Sequence, residues 1–372
     1  MLKGFYLTLL MGPTVPIPAP QPVIDALMSA QVTTSAGQAS GFQLSFALSK
    51  KSMLNTVLLP AGAFDPGIRV ILVATVNSLP IVLMDGIITQ HTVSPNNEPG
   101  QSTLSVIGQD LSVLMGLEHF WKSFPSLPVN GIINLLLLEY IIHGFIPLVI
   151  PPLQIDVEPV VEKWRNQTST DLACIQGIAS EVGYVFYLDP GPVPGTNIAY
   201  FGPEIRVGIP QPALNVNMDA ETNVESLSFT YDGMARKQPT LVILDPITGK
   251  IPIPIPIPDV NLLRPPLALK PTKQMETEPL GVANLNPICA ALLGLAKAAK
   301  PDLITGSGQL DVLRYGQPLK ARQLVGVRGA GTAYDGLYYV SSVTHNIKRG
   351  EYKQSFSLAR EGLISLTPTV VP

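Results

Sequence analysis

Charged residues are scarce in this chain. Asp, Glu, Lys and Arg make up 14% of its 372 residues, against a hydrophobic fraction of 46%. A free soluble surface carries more charge, so much of this one is expected to lie against other chains. The net charge of -3 excludes a general nucleic-acid binder, which needs basic stripes to neutralise phosphates. Cysteine is almost absent. Cys174 and Cys289 each sit in an apolar helical pattern and read as buried thiols, which excludes a disulfide scaffold. The histidines are His91, His119, His143 and His345, and no pair has the helical spacing of a zinc site. No P-loop lysine pattern and no Gly-x-Ser-x-Gly elbow occurs. Residues 326–331 hold a fragment of a dinucleotide fingerprint, but a hairpin pattern follows where a helix is needed. No metal, no cofactor and no enzyme activity are therefore expected.

One long apolar run is present, residues 132–150. It is about long enough to span a bilayer at roughly 20 residues. Glu139 and His143 interrupt it, and Pro147 would break it. A buried helix ending near Gly144 is expected, without stable membrane insertion. No signal-peptide cleavage site follows the first residues, and the alternation at Phe5, Leu7 and Leu9 reads as a first strand.

The most informative positive feature is a β pattern that occurs twice. The first copy runs from Pro66 through Asp85-Gly86 and His91 to Ser105-Val106. The second runs from Leu319 through Asp335-Gly336 and His345 to Ser357-Leu358. Asp-Gly is a strong hairpin signal, so Asp85, Gly86, Asp335 and Gly336 are expected to form turns. The paired aspartates are thus turn formers rather than an acid/base couple, and the two histidines are expected to share a strand-end role. Duplication points to an assembly part rather than a catalyst.

The texture along the chain divides it. Residues 1–117 read as β. Residues 118–213 read as α/β, with Ser169-Thr170-Asp171 capping a helix that Gly183 ends. Residues 214–365 return to β and carry a Pro-rich insert at about 239–271 and a helix at about 286–299. Residues 366–372 form a tail. In the insert, Ile and Pro alternate from 251 to 258. Proline at every second position excludes a helix and a central strand, leaving an extended arm or an outer edge.

These residues resemble a known family. The segment from Arg165-Asn166-Gln167-Thr168-Ser169-Thr170-Asp171-Leu172 to Glu181-Val182-Gly183-Tyr184-Val185-Phe186-Tyr187 is similar to a signature of contractile-tail hub proteins. So are Gly308-Gln309-Leu310-Asp311, Arg314-Tyr315-Gly316, and the stretches 334–345 and 350–360. The family comprises late-control protein D and the N-terminal part of valine-glycine repeat protein G. The resemblance implies a β-rich α+β fold of two tail-tube-like barrels with α/β material between them. It implies a homotrimer whose six units form a pseudo-sixfold ring. It implies a baseplate hub that adapts a sixfold tube to a threefold spike and nucleates tube assembly. Its partners would be the central spike protein, the tail tube or its initiator, and other baseplate proteins. It would assemble in the bacterial cytoplasm and end in a virion baseplate or injection particle. The alternatives from other classes are a tail-associated peptidoglycan hydrolase and a membrane-associated pore component.

Overall fold

The computed structural model describes residues 4–98, 101–125, 127–152, 165–233, 237–244, 252–256, 267–270, 276–280, 302–367 and 370. The expected helix at 286–299 lies outside them, as do most of the insert and of the tail.

The first β unit holds β1 (Phe5–Gly12), β2 (Leu27–Ser35), β3 (Gly41–Ala47), β4 (Arg69–Val76), β5 (Leu79–Ser94) and β6 (Thr103–Asp110). Period-two alternation sets their faces. On β3, Phe42, Leu44 and Phe46 are buried while Gln43 and Ser45 are not. The tight turn between β4 and β5 is Asn77-Ser78, both at positive φ (49° and 71°), as a twist-matched hairpin turn requires.

The middle region holds α1 (Val129–Leu138), β7 (Phe145–Val149), α2 (Asp171–Val182), β8 (Val185–Pro190) and β9 (Asn197–Gly202). The apolar run at 132–150 is thus most of α1, a 3-10 turn, Gly144 at φ 88° and then β7. Among the described residues no helix is long and apolar enough to cross a membrane. The Thr170 hydroxyl caps α2 by accepting from Ala173 N–H at 3.2 Å, and Gly183 ends it at φ 71°. A second core forms between α1, α2 and the sheet β8-β9-β7, closed by Ile133, Leu136, Ile175 and Phe201.

The last region holds β10 (Gln211–Asn215), β11 (Val224–Tyr231), β12 (Lys237–Leu244), β13 (Pro252–Pro256), β14 (Glu276–Leu280), β15 (Ile304–Asp311), β16 (Leu324–Arg328), β17 (Gly336–Lys348) and β18 (Glu351–Arg360). β12, β13 and β14 form a sheet of their own in the order β13-β12-β14. The Ile-Pro run therefore lies at an outer edge, paired on one side to β12.

Both β regions join in one sheet of 13 strands. Its order shows the duplication: β2-β3-β6-β5-β4-β1 in the first unit and β11-β15-β18-β17-β16-β10 in the second. Chain order matches strand for strand, although β1 runs antiparallel to β4 while β10 runs parallel to β16. The bulges match as well, between Ile88 and Gln90 on β5 and between Val340 and Ser342 on β17. The extra residues, Thr89 and Ser341, each donate a hydroxyl to a neighbouring-strand carbonyl, Ile107 and Ser357. One hydrophobic core runs through both units, from Leu9 and Phe46 to Tyr338 and Phe356. The expectation of two barrels is corrected accordingly. The two units are fused through pairing of β17 with β2, and the described pairings close no barrel.

Close strand approach makes Gly108 on β6 a sensitive position. A Cβ there would overlap the Phe42 ring and the Ile87 carbonyl. Gly108→Ala should destabilise the chain by about 2 kcal/mol through overpacking, measured as a lowered midpoint in urea unfolding.

Candidate functional site: the polar junction between the units

Asp85 lies inside β5 and is 1% exposed. The expected turn at Asp85-Gly86 is thus corrected, and its reason is electrostatic. Arg69 on β4 donates from Nε to Oδ1 at 2.7 Å and from Nη2 to Oδ2 at 2.6 Å. Asn197 on β9 donates to the same Oδ2 at 2.9 Å, and Arg69 Nη2 also reaches the Gly195 carbonyl at 3.1 Å. A bidentate guanidinium fork holds a buried carboxylate more firmly than a turn preference does. This cluster fastens the middle region to the first unit. Gly86 beside it is required by packing, since a Cβ would overlap the Gln109 carbonyl and meet the Phe42 ring at 3.1 Å.

Asp335 and Gly336 sit elsewhere in the pattern. Asp335 ends the loop after β16, where its carboxylate accepts from Ala330 N–H at 2.8 Å. Gly336 opens β17 at φ 115°. By register, Ile87 corresponds to Tyr339, so the two Asp-Gly pairs are not equivalent positions.

Arg322 ties all three regions together. Its Nη2 donates to the Ser35 carbonyl of β2 at 2.8 Å, and its Nη1 to Asp189 of β8 at 3.2 Å. The guanidinium lies 4.0 Å over the Tyr187 ring. Arg206, on the linker after β9, grips Asp302 at 2.6 and 2.8 Å and lies 4.6 Å over Tyr339. The two arginines flank a cavity of about 360 Å³.

Within the middle region, Asp171 at the start of α2 is fully buried. It accepts from Tyr140 Oη at 2.9 Å and from Gln167 Nε2, with Lys122 Nζ at 3.5 Å. Burial and this carboxylate push the Tyr140 phenol well above its usual value. Lys122 also pairs with Glu139 at 2.7 Å.

The two strand histidines do not share a role. His91 Nδ1 meets the Phe64 carbonyl at 2.9 Å. His345 is buried, and its Nδ1 accepts from Gln354 Nε2 at 3.1 Å and lies 2.7 Å from Tyr352 Oη. Register pairs His91 with Val343 in the duplicated pattern, not with His345. Among the described residues no group of three or more His, Cys, Asp and Glu side chains is placed to hold a metal ion. The arrangement binds chain segments to one another.

Two outcomes follow from these contacts. Asp85→Ala leaves Arg69 buried without its partner and should cost about 4 kcal/mol of unfolding free energy, read by urea titration. Burial pushes His345 from 6.5 down to about 4. The unfolded chain therefore takes up this proton first, and the residue's contribution is complete above pH 6.5 and lost as the pH falls to about 4. That loss amounts to about 3 kcal/mol. His345→Gln should remove this part of the pH dependence in unfolding titrations across that window.

No protein-family model and no curated protein sequence matches the chain. Solved structures do. A tail protein from Neisseria meningitidis MC58 aligns at 15% identity over 97% of this chain and 98% of its own, with a TM-score of 0.63. The 43 kDa tail protein of prophage MuSo2 from Shewanella oneidensis aligns at 12% identity over 96% and 99%, with a TM-score of 0.64. The E. coli c3393 protein aligns at 12% identity over 93% and 77%, with a TM-score of 0.53. It is a component of the type VI secretion system with structural similarity to the T4 bacteriophage tail proteins gp27 and gp5. The chain shares the fold of these phage tail and type VI secretion proteins.

Proposed function

We propose that the chain is the structural hub of a contractile-tail or injection-machine baseplate. Three copies form a ring. Each copy supplies two tube-like units, residues 1–117 and 214–365, held by the middle region at 118–213. Six similar units then meet a sixfold tube on one side, while the trimer meets a threefold spike on the other. The hub seats the central spike protein, nucleates the tail tube or its initiator, and contacts other baseplate proteins. The particle is assembled in the bacterial cytoplasm.

The observation that carries this reading is the internal duplication: five strands repeat in the same order, with the same connectivity and the same bulge, and a sixth takes the same place in reversed direction. A chain that must present two similar faces to a sixfold partner needs such a repeat. The likeness to tail proteins along nearly the whole of both chains supports it further.

Mass photometry of the purified chain should give a trimer, and symmetry-resolved imaging of its particle should place that trimer between tube and spike. A stable monomer with no affinity for tube or spike protein would overturn the reading.

A further inference from the structure

The two units already meet once inside the chain. The later part of β17 pairs antiparallel with β2, from Ser342↔Ser35 to Lys348↔Ser29. At the centre of this seam the hydroxyls of Thr344 and Thr33 lie 3.1 Å apart. The seam begins where β17 leaves β16. Arg322 N–H donates to the Val340 carbonyl and Val340 N–H to the Gln323 carbonyl. Beyond that point β2 takes over as partner.

The first unit repeats this geometry up to the same point. Gly67 N–H donates to the Ile88 carbonyl and Ile88 N–H to the Ile68 carbonyl. Gly67 and Arg322 both sit at positive φ, 97° and 64°. Beyond Ile88, however, β5 has β6 on one side and, among the described residues, no strand on the other. The unit-two counterpart of β2 is β11, which among the described residues pairs with β15 alone and ends the sheet. β2 and β11 also share a bulge, after Leu27 and after Val224. One chain thus carries both halves of a second seam, and they are left apart.

We propose that β5 of one copy pairs antiparallel with β11 of the next, in the register of the internal seam. Matching the bulges aligns Thr92 with Thr344 and Thr230 with Thr33. The predicted contact therefore sets Thr92 of one copy opposite Thr230 of its neighbour, with Val93 opposite Phe229 and Ser94 opposite Ser228. Threonine occupies all four equivalent places. Thr92 and Thr230 are exposed in the single chain, as is Tyr231 at 40%. The contact is head-to-tail, so it closes only as a ring. It rests on the reading of three copies about one axis, and it names the residues that join them.

The test uses the full chain with Cys174 and Cys289 replaced by Ser. Thr92→Cys/Thr230→Cys, oxidised under mild conditions, should give disulfide-linked dimers and trimers on a non-reducing gel. Cross-strand neighbours fall within disulfide reach. Thr92→Cys/Ser226→Cys, four residues out of register, should give none. Thr33→Cys/Thr344→Cys should link within one chain and add no mass. If mass photometry finds trimers but the Thr92/Thr230 pair does not link, or the out-of-register pair links equally well, the inference is overturned. If no trimer forms, the hub reading itself falls. That outcome is separate because it appears before any oxidation.

Discussion

The backbone ladder between β17 and β2 is the contact on which the rest of the molecule depends. It turns two similar units into one sheet with one core. Side chains alternate across a strand, so register decides what is inside. Val32 and Val343 are fully buried beside this ladder, while Thr33 and Thr344 lie on the opposite face. A slip by one residue would reverse those faces and open the shared core. The pairing therefore sets both the relative position of the units and their stability.

Around this ladder the fold uses two kinds of adhesion. Apolar burial holds each layer but does not specify an angle. The arginine forks supply direction. Arg69 joins β4 to the middle region through Asp85 and Gly195, Arg322 reaches into three segments, and Arg206 closes the linker onto Asp302. Each guanidinium is planar and presents its donors in a fixed array, so each defines an orientation as well as a contact. In a chain with few charges, several of those it has are spent inside.

Duplication, the mixed helix-and-strand texture of the middle stretch and the capped helix at Thr170 were legible from residue patterns alone. Alternation and helix punctuation are local signals, and they hold where local geometry decides. The role of Asp85 was not legible. Asp-Gly is a turn signal taken by itself, but a partner sixteen positions earlier and another on β9 override it. The one local clue was Arg69, a charge inside a run of apolar strand residues. The repeat was likewise found through its Asp-Gly pairs, which prove not to correspond. The true correspondence lies in bulges and strand order, which depend on pairing between distant segments. The fusion of the units into one sheet belongs to the same class.

The Ile-Pro strand β13 has a further consequence. Along a strand, the backbone groups of alternate residues point to opposite edges. Pro252, Pro254 and Pro256 have no N–H to offer, so the donors toward β12 come from Ile253 and Ile255. The outer edge is left with carbonyl oxygens and no donor at those positions. Two copies of this edge brought side by side would present acceptor to acceptor. This strand pair is sterile toward its own kind, and that directs self-association away from it.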